Sequence, residues 1–148
     1  MVINQFHSYV LKLLSRREYS QSELQEKLIA KGACKEEIDL LIDHLVDSGY
    51  QSDWRFTESF IRYHISNLRG PMRILGELRK KGISPETFSA VFENMEIDWG
   101  ELLELSYYKK FKSLNDNIFD YKLKSKITKY LLYQGYELDS VVKFLSSK

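Results

Sequence analysis

Few side chains in this sequence are placed for covalent chemistry. His7, His44 and His64 lie far apart along the chain and pair with no acid at the spacing of metal ligands. Cys34 is the sole cysteine and has no Cys-x-x-Cys partner, so it reads as a small packing residue near a helix start. Ser20-x-x-Glu23 has the form of a helix capping box, not of a nucleophile and its base. No glycine-rich phosphate loop follows a strand. The expectation is a binder rather than an enzyme, with no catalytic residue, no metal and no cofactor.

The chemistry that remains is charge. Net charge is only +1, but its sign alternates along the chain. Residues 1–35 carry +3, 36–54 carry −6, 55–81 carry +5, 82–108 carry −6, 109–136 carry +5, and the last twelve residues are neutral. If equivalent helices line up, Arg17, Lys27 and Lys31 continue into Arg62, Arg69, Arg73, Arg79, Lys80 and Lys81, and on to Lys122, Lys124, Lys126 and Lys129. Such a stripe concentrates a polyanion and steers its approach. The competing reading is solvated helix faces whose opposite charges pair between neighbours. A second candidate is Tyr107-Tyr108-Lys109-Lys110-Phe111-Lys112. It interleaves aromatics with bases and can stack on single-stranded nucleic acid. It can equally be an amphipathic helix with tyrosine rims and lysines outside.

The elements that position these residues form a repeat. Gly32, Gly82 and Gly135 anchor three segments. Four residues before each glycine stands Leu28, Leu78 or Leu131, and eight before stands Leu24, Ile74 or Ile127. Six after stands Ile38, Phe88 or Val141, and ten after stands Ile42, Phe92 or Leu145. Four-residue steps put each pair on one helix face. Each glycine therefore joins two amphipathic helices by a tight turn. A further helix precedes each pair, at roughly 3–17, 53–69 and 99–112. Ser20, and Ser84 before Pro85-Glu86, are strong helix starts, and Asp53 begins the second unit. Trp54 and Trp99, near the starts of two first helices, are expected to pack between repeats.

The expected fold is all-α: three tandem three-helix repeats, nine short helices, stacked into an elongated, curved array. The repeats span 1–50, 51–97 and 98–148. One such brick is too small to bury its own core, so neighbours share one. The chain has 148 residues, 43% of them hydrophobic and 29% charged. No apolar run approaches bilayer length, and the start lacks the pattern of a signal peptide. A reducing cytoplasm is expected, with no membrane partner.

Four pieces carry a likeness to a known family. They are Leu14-Ser15-Arg16-Arg17-Glu18-Tyr19-Ser20 with Glu23-Leu24 and Lys27-Leu28; Gly49-Tyr50-Gln51-Ser52-Asp53-Trp54-Arg55-Phe56; the stretch from Arg69 to Ile83; and Leu131-Leu132-Tyr133-Gln134-Gly135-Tyr136. In combination they resemble the RecX family of bacterial regulators of the RecA recombinase. Ser52 stands where the family has Asp, and Gln134-Gly135-Tyr136 where it usually has Arg-Gly-Phe. The resemblance implies a monomeric crescent in the groove of the RecA–single-stranded-DNA filament. There it restrains strand exchange, ATP hydrolysis and the self-cleavage of the SOS repressor, in DNA repair and homologous recombination. The residues implied for contact with RecA or DNA are Arg16, Arg17, Arg55, Arg62, Arg69, Arg73, Arg79, Lys80 and Lys81, with Lys27 and Lys31 in the same basic blocks. Arg55 has an equal structural reading, as the partner of Asp53 or another acid. Two other functions stay open: a stand-alone helix-turn-helix-like module binding nucleic acid, and an adaptor for another protein.

Overall fold

Each glycine turn closes in the same way. The residue after the glycine donates its N–H to the carbonyl five residues back: Ala33 to Leu28, Ile83 to Leu78, Tyr136 to Leu131, at 3.0–3.1 Å. The glycines take φ of +91°, +78° and +111°. This is the turn in which a left-handed residue lets the last carbonyls of a helix find donors. The computed structural model describes residues 5–111 and 121–147. Their regular structure is helical: α1 (His7–Leu14), α2 (Gln21–Ala30), α3 (Lys35–Asp47), α4 (Asp53–Ser66), α5 (Pro71–Lys80), α6 (Pro85–Met95), α7 (Trp99–Phe111), α8 (Tyr121–Gln134) and α9 (Leu138–Ser146).

The first helices of the first two repeats are shorter than their periodicity predicts. α1 ends at Leu14, and expected residues 3 and 4 lie outside the described residues, as does Lys112 after α7. α4 stops at Ser66 because Leu68 turns left-handed, with φ +60°, and Arg69 N–H bonds back to His64 O at 3.1 Å. A leucine thus takes the left-handed conformation that Gly32, Gly82 and Gly135 take in the repeat turns.

The chain forms two compact units, Met1–Phe60 with Leu78–Asn94, and Ile61–Glu77 with Met95–Lys148. In the first, α2 packs on α3 over Val10, Tyr19, Leu24, Leu28, Ile38, Leu41, Ile42 and Leu45. In the second, α7 packs on α8 and α9 over Leu103, Tyr107, Phe111, Ile127, Leu131, Tyr136, Val141 and Leu145. The two apolar positions before each glycine are fully buried in all three repeats. The positions after it are buried in the outer repeats, while Phe88 and Phe92 are only partly covered and face each other at 5.0 Å. Trp99 lies against the core of its own unit, and Trp54 is 40% exposed.

Each unit contains one join between successive repeats, and the two joins share a register. Ser20 stands twelve residues before Gly32, and Gly70 twelve before Gly82. Each starts its repeat's second helix, and each bonds to the residue just before the next repeat's glycine. Ser20 Oγ donates to Lys81 O at 2.8 Å, and Gly70 N–H donates to Gln134 O at 2.8 Å. Met72 N–H adds a bond to Gly135 O at 2.9 Å. Three residues further along stand Glu23 and Arg73. Glu23 meets Lys81 Nζ at 3.1 Å, and Arg73 Nη1 donates to Gln134 Oε1 at 3.1 Å.

Glu23 is the most heavily used polar group of the first join. It closes the capping box, accepting the Ser20 N–H at 3.1 Å while Ser20 Oγ accepts the Glu23 N–H at 3.1 Å. Arg17 grips both carboxylate oxygens at 3.2 Å. Burial pushes the carboxyl up, but hydrogen bonds from Arg17, the Ser20 N–H and Lys81 outweigh it and hold Glu23 below the usual carboxylate range.

Two predictions follow from this geometry. A Cβ at Gly70 would strike the backbone of Gly135 and Tyr136, which cannot swing aside as a side chain can. Gly70→Ala should therefore cost about 2–3 kcal/mol in urea unfolding. Gly76, inside α5 with open space around it, should gain about 0.5–1 kcal/mol from the same change. The second concerns acid. A depressed carboxyl stabilises the fold above its ordinary titration range and ceases to as pH falls through its folded value. Stability should drop from about pH 5 downward, and Glu23→Gln should flatten that limb while costing about 1 kcal/mol at pH 7.

Candidate functional site

The cations singled out by the sequence divide by what holds them. Arg17 is engaged with Glu23, donates to Glu18 O at 2.8 Å, and lies 3.6 Å from the centroid of the Tyr19 ring. Burial opposes its charge, but the Glu23 carboxylate more than compensates and raises its affinity for the proton. Lys81 shares the same carboxylate. Arg55 does pair with an acid, but the acid is Glu18, at 3.1 Å; its other end donates to Gly49 O at 2.7 Å. Asp53 instead accepts from Gln21 N–H and Gln51 Nε2, each at 2.9 Å. These three cations hold the fold of the first unit together.

Arg69 and Arg73 lie in the second unit and are half-buried. Arg69 Nη1 donates to His64 Nδ1 at 2.7 Å. Burial lowers the basicity of His64, Arg69 and Arg73 lower it further, and Glu77 opposes them. A neutral imidazole is what the Arg69 contact requires, since a guanidinium can only donate. Arg73 bonds to Gln134 and lies 5.1 Å from the centroid of Tyr133. Tyr136, whose hydroxyl is pushed far up by burial, donates to Leu68 O at 2.7 Å. Lys31 rests over the Tyr9 ring at 4.9 Å.

Arg16, Lys27 and Arg79 are exposed and make no side-chain hydrogen bond or ion pair among the described residues. Arg62 and Lys80 are exposed as well. The run 107–112 is amphipathic: Tyr107 and Phe111 are buried in the core, Lys110 lies over Tyr130 at 5.5 Å, and Lys112 falls outside the described residues. His7 and His44, distant in sequence, bring their rings to 5.4 Å. No group of three His, Cys, Asp or Glu side chains among the described residues is placed to hold a metal ion. No helix among them is long and apolar enough to cross a membrane.

Sequence reasoning did not find the structural duties of Arg17 and Lys81, whereas the structural alternative for Arg55, pairing with an acid, is what the structure shows, with Glu18 as that acid. One signal was available for Arg17: Glu23 is an acid inside a basic block, six residues from the arginine it holds, whereas Glu18 meets Arg55 across 37 positions. Tyr133 had no such signal, because Arg73 reaches it across sixty residues.

Comparison with known proteins matches residues 7–45 to the first three-helix domain of RecX and residues 52–91 to the second. The regulatory protein RecX of Legionella pneumophila (strain Corby) is 38% identical over 133 residues, covering 90% of this chain and 87% of that protein. That of Haemophilus ducreyi is 40% identical over 129 residues, covering 87% and 83%. A crystal structure of regulatory protein RecX superposes with a TM-score of 0.81 over 96% of this chain and 71% of the other, at 22% identity. RecX from Lactobacillus salivarius gives 0.78 over 99% and 97%, also at 22% identity. Both structures share the fold of three-helix repeats, and their relatives are named as regulatory proteins, not enzymes. With both three-helix domains matched and 38% identity over 90% of its length, the chain belongs to the RecX family of regulatory proteins.

Proposed function

We propose that the protein binds the filament of RecA on single-stranded DNA and restrains its strand exchange, ATP hydrolysis and coprotease activity. The observation that carries this reading is the likeness to RecX regulatory proteins over 90% of the chain. The repeat supports it. Small bricks joined at the same register suit a partner that itself repeats. The charge supports it too. Blocks of +5 and −6 in alternation fit a target made of acidic DNA and mixed-charge protein better than bare duplex DNA, which the acidic blocks repel. The protein works as a monomer in the cytoplasm, where RecA acts, without catalysing a step of its own.

Among the basic residues, Arg16, Lys27 and Arg79 are the first choice for contacts with phosphate or acidic side chains, with Arg62 and Lys80 beside them. The side chains of Arg16, Lys27 and Arg79 take no part in the first join, whereas those of Arg17, Arg55 and Lys81 do.

The test is RecA strand exchange and single-stranded-DNA-dependent ATP hydrolysis at low salt, with substoichiometric protein added. Both should slow, and unimpeded turnover would end this reading. Reversing Arg16, Lys27 and Arg79 together to Glu should raise the concentration needed by tenfold or more, in about the ratio that loss of a few screened contacts gives. The melting temperature should hardly move, because exposed charges contribute little to stability. Arg55→Ala should do the opposite, losing about 1 kcal/mol of stability through its carboxylate and carbonyl bonds.

A further inference from the structure

The second join carries a feature that the first lacks. In the first, the guanidinium and ammonium of Arg17 and Lys81 converge on one carboxylate. In the second, among the described residues, Arg69 and Arg73 hydrogen-bond to neutral partners, His64 and Gln134. Glu77 is the acid that acts on this cluster, through His64. Beside the arginines stand two exposed tyrosines. Tyr133 is 73% exposed and has Arg73 over its ring at 5.1 Å. Tyr63 is 63% exposed and meets His64 edge-on at 5.2 Å.

Resting on the reading that the protein meets single-stranded DNA, we propose that this join is a nucleotide contact: a base stacks on Tyr133, and Arg69 and Arg73 take the adjoining phosphate. The high exposure of Tyr133 leaves the ring face opposite Arg73 open. Stacking on such a face works for every base and needs no sequence readout. Arg73 steadies the ring by a cation–π contact from the other side. An acidic peptide would engage the two arginines and leave Tyr133 idle, and a duplex keeps its base faces covered. An unpaired strand uses both halves of the cluster.

The experiment is anisotropy of a fluorescein-labelled oligothymidylate of about 15 nucleotides, without RecA, between about 20 and 200 mM salt. Tyr133→Ala should weaken binding about 5- to 30-fold with the salt slope unchanged, since no charge is lost. Tyr133→Phe should bind within about twofold of the parent, because the π face is kept. Arg69→Gln should weaken binding and lower the slope by about one. Tyr133 is exposed, so matched melting curves will exclude misfolding. Equal affinity of Tyr133→Ala and parent, a changed slope for Tyr133→Ala, or no binding of the strand by the parent protein overturns the inference. A parent that restrains RecA but ignores the bare strand sinks this contact alone. One that binds the strand through Tyr133 yet leaves RecA unaffected sinks the filament reading alone.

Discussion

The structure depends on one recurring contact: the first turn of a repeat's second helix sits on the last turn of the following repeat's second helix. A helix ends with carbonyls that have no intrahelical donor and begins with N–H groups that have no acceptor. The join at Gly70 matches these two deficits directly. Gly70 and Met72 supply N–H groups, and Gln134 and Gly135 supply carbonyls. The positive end of one helix dipole thereby faces the negative end of another. At Ser20 the same carbonyl position, Lys81, is served by a hydroxyl instead. A brick of three short helices could not bury its core alone. Joining it through groups that every helix must leave open adds a neighbour without demanding an apolar patch.

This constraint governs which parts of the molecule were legible in the sequence. The glycine register was legible because it is local. Leu28, Leu78 and Leu131 each lie one helical turn before their glycine, and all three are buried. The capping box at Ser20 and Glu23 was legible for the same reason, and Ser84 does accept the Thr87 N–H at 3.2 Å. What escaped was the second use of those residues. Ser20 meets Lys81, and Arg73 meets Gln134, each across 61 positions. No periodicity reports a contact of that span. Gly70 illustrates the loss: beside Pro71 it reads as an ordinary helix start, yet its missing side chain is what lets two backbones touch. Leu68 misled in the opposite sense. Nothing in a leucine announces a left-handed turn, so helix α4 was drawn too long.

The basic residues show why a charge pattern is a weak guide to individual contacts. The blocks of alternating sign are real, but their members have different employments. Arg17 and Lys81 lie far apart in the chain and close on Glu23, a carboxylate with a side chain only 10% exposed. A carboxylate so placed would be costly without partners, and the two cations offset that cost. Arg55 anchors the start of α4 to Glu18 and to the end of α3. These positions carry the family likeness, and the fold alone is a sufficient reason for cations there. Likeness to relatives therefore points less securely to Arg17, Arg55 and Lys81 as contact residues than to Arg16 or Arg79, for which the fold supplies no use.

The two joins also differ in how much they ask of their side chains. The first is closed by side chains: a serine hydroxyl, the Glu23 carboxylate and the cations it gathers. Removing any of them leaves a buried group short of a partner. The second is closed mainly by backbone, because a glycine at position 70 brings the N–H groups within bonding distance of the next turn. The residue in register with Glu23 is then under no obligation to be an acid. Arg73 stands there, held by an amide and an aromatic ring rather than by an opposite charge. A single loss of side-chain bulk at one position thus frees the chemistry three residues away. Repeats of one architecture can in this way keep the same register while one join gathers its cations on a carboxylate and the next holds its arginines on neutral groups.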